Sequence, residues 1–213
     1  MKGMMFNEHY GLETAVLNGS KTRTARTETI WLTLIKNDDF LNGMKVKENC
    51  YFNGGNINDN IYDNLNKIIS ECPSFKTRFS KGDVVAVKQS YKTLWECLEE
   101  GDAKDKFMNT YGKTKGWSNK MFVKNELMPH HIKITDVRID KLNDITDDDC
   151  MNEGIRTGRC GNDEHGWMDA YYYDKQPFCT AKKAFASLID KVSGNGTWEK
   201  NPAVVVYYFE LIN

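Results

Sequence analysis

The run Ala203-Val204-Val205-Val206-Tyr207-Tyr208-Phe209-Glu210-Leu211-Ile212 is almost wholly apolar. A strand with so little polar face is covered on both sides, so this run reads as the central strand of a sheet. Asn201-Pro202 opens it, since proline breaks any helix before it. Working outward, His131 to Leu142 is the most legible second strand. Ile132 and Ile134 share one face, then the phase slips to Val137 and Ile139. A slip of one residue predicts a β-bulge near Thr135-Asp136. Lys81-Gly82-Asp83 reads as a turn launching the buried-type strand Val84-Val85-Ala86-Val87, and Lys2 to Phe6 as a short apolar strand.

Helical spacing appears between these strands. One helix is expected from about Glu8 to Asn18, with Leu12, Ala15 and Val16 on one face and Gly19 as its stop. A second carries Ile61, Leu65, Ile68, Ile69 and Cys72 and ends at Pro73. A third surrounds Leu94, Cys97 and Leu98, followed by a polar region to about Asn119. Thr146-Asp147-Asp148-Asp149 is a capping box, so a helix starts there and Gly154 stops it. Thr180 caps an amphipathic helix with Ala184, Phe185, Leu188, Ile189 and Val192 inward. Asn53-Gly54-Gly55-Asn56 reads as a turn, and Arg156 to Phe178, rich in Gly, Asp and Tyr, as a long loop. No Pro/Ser linker divides the chain. The expectation is one α+β domain over residues 1–213, with insertions at about 27–80 and 93–128.

The chain has 213 residues, 40% of them hydrophobic and 28% charged, with a net charge of −1. That balance is ordinary for a globular protein and excludes an overall electrostatic grip on nucleic acid; such a partner needs a local basic patch. No apolar run approaches the about 18 residues of a membrane span, and Met1 to Glu8 has no apolar core of signal-peptide length. The six cysteines (50, 72, 97, 150, 160, 179) form no Cys-x-x-Cys pair. They read as reduced thiols of a cytoplasmic protein, with no metal or other cofactor implied.

Four blocks, in this order along the chain, resemble the ASCH family of the PUA-like superfamily. Leu17-Asn18-Gly19-Ser20-Lys21-Thr22-Arg23-Thr24-Ala25-Arg26 is similar to its G-x-K-T-x-T-x-R signature. Lys81 to Val87 is similar to its x-G-D-x-v-x-V strand. The third block is Ile134 to Arg138, continuing through Ile145 to Asp149 and on to Glu153-Gly154. The fourth is Trp198 with Asn201-Pro202 and the closing strand to Phe209-Glu210. Longer, phage- and bacteroidete-like members share Asn119-Lys120-Met121-Phe122 and Met128-Pro129; they often carry Glu where this chain has Gln89. The resemblance covers roughly half the chain. It implies a small mixed β-barrel of five to six strands with flanking helices, and a cleft associated with RNA or modified nucleosides. One branch resembles N(4)-acetylcytidine amidohydrolase, and carrying its residues over gives Lys21, Thr24 and Glu153.

The chemistry of those three side chains fits that expectation. A threonine hydroxyl is a poor nucleophile until a base takes its proton, and a lysine serves as base where burial or neighbouring cations lower its pKa. Arg23 and Arg26 are such cations if they share the cleft. In an extended segment residues 21 and 24 point to opposite faces, so the chain must turn between them. Glu153 ends a helix, facing the negative end of the dipole, an unfavourable position for a carboxylate by about 0.3–1 kcal/mol. The expected reaction is attack by Thr24 on an amide carbonyl, with Lys21 as base and Glu153 protonating the leaving amine. Thr22, Arg23, Arg26 and Gln89, with Trp167 and Tyr171 for stacking, are the candidate ligand-binding residues. Two other functions compete: a non-catalytic RNA-binding module and a metal-independent ribonuclease.

Overall fold

In the computed structural model, described here over residues 1–27, 30–32, 51–52 and 75–212, the apolar run at the C-terminus forms a strand between two others. The strands are β1 (Lys2–Met5), β2 (Arg23–Arg26), β3 (Ile30–Leu32), β4 (Tyr51–Phe52), β5 (Phe75–Lys76), β6 (Val84–Lys88), β7 (His131–Lys141), β8 (Arg156–Asn162), β9 (Gly166–Tyr173), β10 (Gln176–Phe178) and β11 (Ala203–Ile212). The helices are α1 (Leu12–Leu17), α2 (Tyr91–Glu96), α3 (Asp102–Tyr111), α4 (Asp147–Asn152), α5 (Ala181–Ser193) and α6 (Thr197–Lys200). The principal sheet has the order β1-β6-β7-β11-β2, with β1 and β6 parallel and the other neighbours antiparallel.

The alternation read from sequence holds on β7. Its partner register jumps from Asp136↔Tyr208 to Ile134↔Phe209, so the bulge lies at Thr135. β11 buries Val205, Val206 and Tyr207 completely, and Tyr207 meets Phe79 edge-on at 5.3 Å between ring centroids. α5 lays Ala184, Phe185 and Leu188 into the same core. Full burial of side chains of this size stabilises by roughly 1.5–3 kcal/mol each.

The expected closed barrel does not form. The sheet is open, with β1 and β2 as edges and no backbone pairing between them among the described residues. A flat sheet would hold its edges four spacings of about 4.8 Å apart, about 19 Å. Here Arg26 Nη2 donates to the Met5 carbonyl at 2.6 Å. One side chain spans from edge to edge, so the sheet is strongly curled without closing. The edge strands are four residues each, too short for a continuous ladder around the gap.

The stretch expected as a long loop is a second, three-stranded antiparallel sheet, β10-β9-β8. Most of β8 is exposed, so no apolar alternation marks it. Gly158 fits beneath the Tyr172 ring, where a Cβ would come within 2.8 Å of Cε2. α3 lies in the region read only as polar, and α1 starts four residues later than expected of a helix from Glu8, after Gly11 at φ 71°. The insertion around 93–128 packs Val123 and Met128, together with Tyr91 of α2, on Ala86 of β6. In the insertion at 27–80, β3 pairs with β4 and β5. The expected turn at Asn53–Asn56 and helix from Ile61 to Cys72 lie outside the described residues. No helix among the described residues is long and apolar enough to cross a membrane.

Candidate active site

Two helix ends, far apart in the chain, meet to build the site. α4 begins with the complete capping box of Thr146 and Asp149 and ends at Glu153; Gly154 at φ 103° then reverses the chain. After α1, Gly19 at φ 77° turns the chain inward. The Lys21 amide donates to the Ala15 carbonyl at 2.8 Å, and the Thr22 amide to the Asn152 carbonyl at 3.0 Å. Strand geometry begins only at Arg23. This off-strand turn frees Lys21 from the alternation that would have pointed it away from Thr24.

Lys21 Nζ donates to Glu153 Oε2 and to the Glu153 carbonyl, both at 2.7 Å. Glu153 Oε1 accepts from Arg23 Nη1 at 3.0 Å and from the Ala25 amide at 2.6 Å. Arg23 continues to Asp149 Oδ1 and to the Tyr208 hydroxyl, each at 3.4 Å. Lys21 is 2% exposed and Glu153 3%, so the pair is cut off from bulk water. Burial pushes the Lys21 amine below its ordinary value of 10.5; Glu153 opposes that shift, and Arg26 and Arg23 add to it.

This pair forms one wall of a cleft of about 280 Å³. Lys21, Thr24, Arg26, Arg78 and Glu153 make its polar side, and Phe6, Leu12, Phe185, Leu188 and Ile189 its apolar side. Val192, expected inward on its helix, is 40% exposed at this cleft. Thr24 is held by β2 opposite Tyr207, and its hydroxyl has no hydrogen-bond partner among the described residues.

No family model, curated protein or solved structure matches this chain.

Of the residues nominated from sequence, Lys21, Thr24, Arg26 and Glu153 line the cleft, and Arg23 stands behind it as a support for Glu153. Thr22 is fixed through its backbone, its carbonyl accepting from the Phe209 amide at 2.8 Å. Gln89 is not in the cleft: its Nε2 donates to Glu13 Oε1 at 3.1 Å in a separate polar cluster with Lys120. Trp167 sits half exposed near the β8–β9 turn, and Tyr171 packs against the main core; neither lines the cleft. Arg78 and the apolar wall of α5 were not nominated. The α5 wall was legible as a helix face, but an apolar face pointing at a cleft reads like any core face. No group of three or more His, Cys, Asp or Glu among the described residues is arranged to hold a metal ion.

Proposed function

We propose that this chain is an ASCH-type module that hydrolyses an amide on an acylated nucleoside. The observation that supports it most is the buried Lys21–Glu153 pair on the wall of a cleft that is also lined by Thr24. Few structural roles require a lysine amine held out of water in the wall of a cleft that also holds a hydroxyl with no hydrogen-bond partner among the described residues.

In this reading Lys21, its pKa lowered by burial, takes the Thr24 proton as the oxygen attacks the amide carbonyl. The carbonyl carbon gains the Thr24 oxygen. Lys21 returns the proton to the departing nitrogen as the C–N bond breaks, leaving an acyl ester on Thr24. Water then cleaves the ester through the same amine. Glu153 has both oxygens engaged by Lys21, Arg23 and the Ala25 amide, so it orients the base instead of delivering a proton. The apolar wall of Phe185, Leu188 and Ile189 suits a flat ring, and the polar wall the amide.

The test is release of cytidine from acetylated cytidine. Thr24→Ala should lower kcat by more than about 100-fold while leaving the melting temperature nearly unchanged. Turnover retained in that variant ends the proposal. A binding module without chemistry would bind the ligand and release nothing.

A further inference from the structure

Outside the cleft, one segment of the insertion carries charge of a single sign. Tyr111 to Asn125 holds four lysines and no Asp or Glu. It also bears two exposed apolar side chains, Met121 at 62% and Phe122 at 54%. Two short turns, Lys115–Trp117 and Lys120–Phe122, build this surface. They meet at Gly116, where a Cβ would come within 2.5 Å of the Tyr91 ring and 3.2 Å of the Phe122 carbonyl. The Asn119 side chain accepts from the Met121 amide at 2.9 Å, and the Lys124 amide donates to the Tyr91 hydroxyl at 2.9 Å. The backbone under Phe122 is thus fixed from both sides while its ring stays in solvent. Three cations surround that ring. Lys115 Nζ lies 5.5 Å from its centre. Lys88 Nζ reaches from β6 to the Met121 carbonyl at 3.1 Å, the peptide group that leads into Phe122. The chain is extended at Val123 and Lys124, and Val123 is buried, so Phe122 and Lys124 both face outward. Among the described residues no carboxylate is within ion-pair distance of Lys88, Lys115 or Lys124, and Glu126 faces the Met1 amine instead at 3.5 Å. An exposed aromatic ring among unpaired lysines suits a base stacked on the ring with phosphates on either side. An acidic peptide would use the lysines but offer nothing flat to the ring.

We propose that residues 115–124, with Lys88, form a platform for single-stranded nucleic acid, one base stacking on Phe122 and the flanking phosphates pairing with Lys88, Lys115 and Lys124. The whole chain carries −1, and this segment is the local basic patch that such a partner requires. The platform adjoins the cleft: Lys120, next to Met121, donates to the carbonyl of the cleft residue Phe6 at 2.8 Å. On the hydrolase reading given above, the acylated nucleoside arrives within a strand whose neighbouring nucleotide rests on the platform. The platform itself does not depend on that reading.

The experiment titrates the full chain with a fluorescent oligocytidylate of about eight nucleotides, as RNA and as DNA, over a range of salt. It compares wild type with Phe122→Ala, Lys115→Gln, Lys124→Gln and the control Lys175→Gln on the exposed β9–β10 turn. Phe122→Ala should weaken binding about tenfold. Lys115→Gln and Lys124→Gln should each flatten the slope of log affinity against log salt by about 0.7. Lys175→Gln should change neither. A polyglutamate of equal charge should bind about tenfold more weakly, for want of a base to stack. Tighter binding of RNA assigns the platform to RNA, and equal binding assigns it to single strands of either sugar. Polyglutamate binding as tightly as the oligonucleotide overturns the proposal, as does an affinity untouched by Phe122→Ala or the absence of binding at low salt. Strand binding without release of cytidine from acetylated cytidine keeps the platform and removes the hydrolase. Turnover of the nucleoside by a chain that binds no strand does the reverse.

Discussion

A lysine ammonium and a glutamate carboxylate taken out of water each lose several kcal/mol of hydration, and only close, well-directed partners restore it. Lys21 and Glu153 meet that demand at 2.7 Å, with Arg23 and the Ala25 amide filling the remaining carboxylate oxygen. Glu153→Gln leaves two buried cations without their common counter-charge. It should destabilise the fold by about 3–5 kcal/mol in denaturant unfolding, and adding Lys21→Met should cost less than the two single effects summed. The pH dependence follows from the lowered Lys21 pKa. Between that lowered value and 10.5 the unfolded chain holds more protons than the folded one, so this residue makes stability rise with pH there. Cys150, its thiol pushed up to about 12 by burial, acts in the opposite sense above 9.0. The difference in melting temperature between wild type and Lys21→Met, followed from neutral to alkaline pH, isolates the lysine: the wild type should gain relative to the variant as pH rises. If the amine acts as base, kcat/KM rises over the same range. The three residues at the centre of the cleft were nominated from motif and chemistry. Their convergence was expected only on condition of a turn between residues 21 and 24, and no sequence pattern supplies that turn; it comes from the off-strand path before Arg23.

At the scale of elements, the site depends on where α4 stops. Gly154 holds φ 103°, a conformation that disfavours any side chain. A Cβ there would lie 3.2 Å from Leu12 Cδ2 and 3.7 Å from Lys21 Cδ. Gly154→Ala should therefore cost roughly 1–3 kcal/mol and weaken ligand binding by displacing Lys21, measured by thermal unfolding and titration together. The capping box, the glycine stop, the bulge on β7 and the apolar length of β11 were all legible, because each is written in a few neighbouring residues. The β8–β10 sheet was not. β8 and β10 are exposed over most of their length and β9 over its first half, so little but cross-strand pairing distinguishes them from a loop. α3 escaped for a similar reason: among its residues only Lys104 is buried.

Across the whole molecule, two cations tie distant segments together. Arg26 joins the edges of the curled sheet, and Lys120 fastens the insertion to the strand-to-helix connection beside the cleft. Lys120 Nζ donates to the Phe6 carbonyl at 2.8 Å and contacts Glu13 Oε2 at 2.5 Å and Glu8 Oε2 at 3.3 Å. Glu13 is 5% exposed, so Lys120→Met strands a buried carboxylate whose other side-chain polar contact among the described residues is Gln89. The expected loss is about 2–3 kcal/mol in denaturant unfolding, accompanied by faster proteolysis within the insertion. Unchanged stability would show that the insertion is held by its other contacts, such as the packing of Tyr91, Val123 and Met128 on Ala86, without Lys120.

Local chemistry in the sequence determined the strands that bury both faces, the helix caps and the polar residues worth nominating, since propensity, capping and periodicity act over a few residues. Only the tertiary structure decided that the sheet curls without closing, that Glu153 reaches Lys21 across 132 positions, and that Gln89 belongs elsewhere. Those outcomes depend on pairing and burial between segments far apart in the chain, and no short stretch carries them.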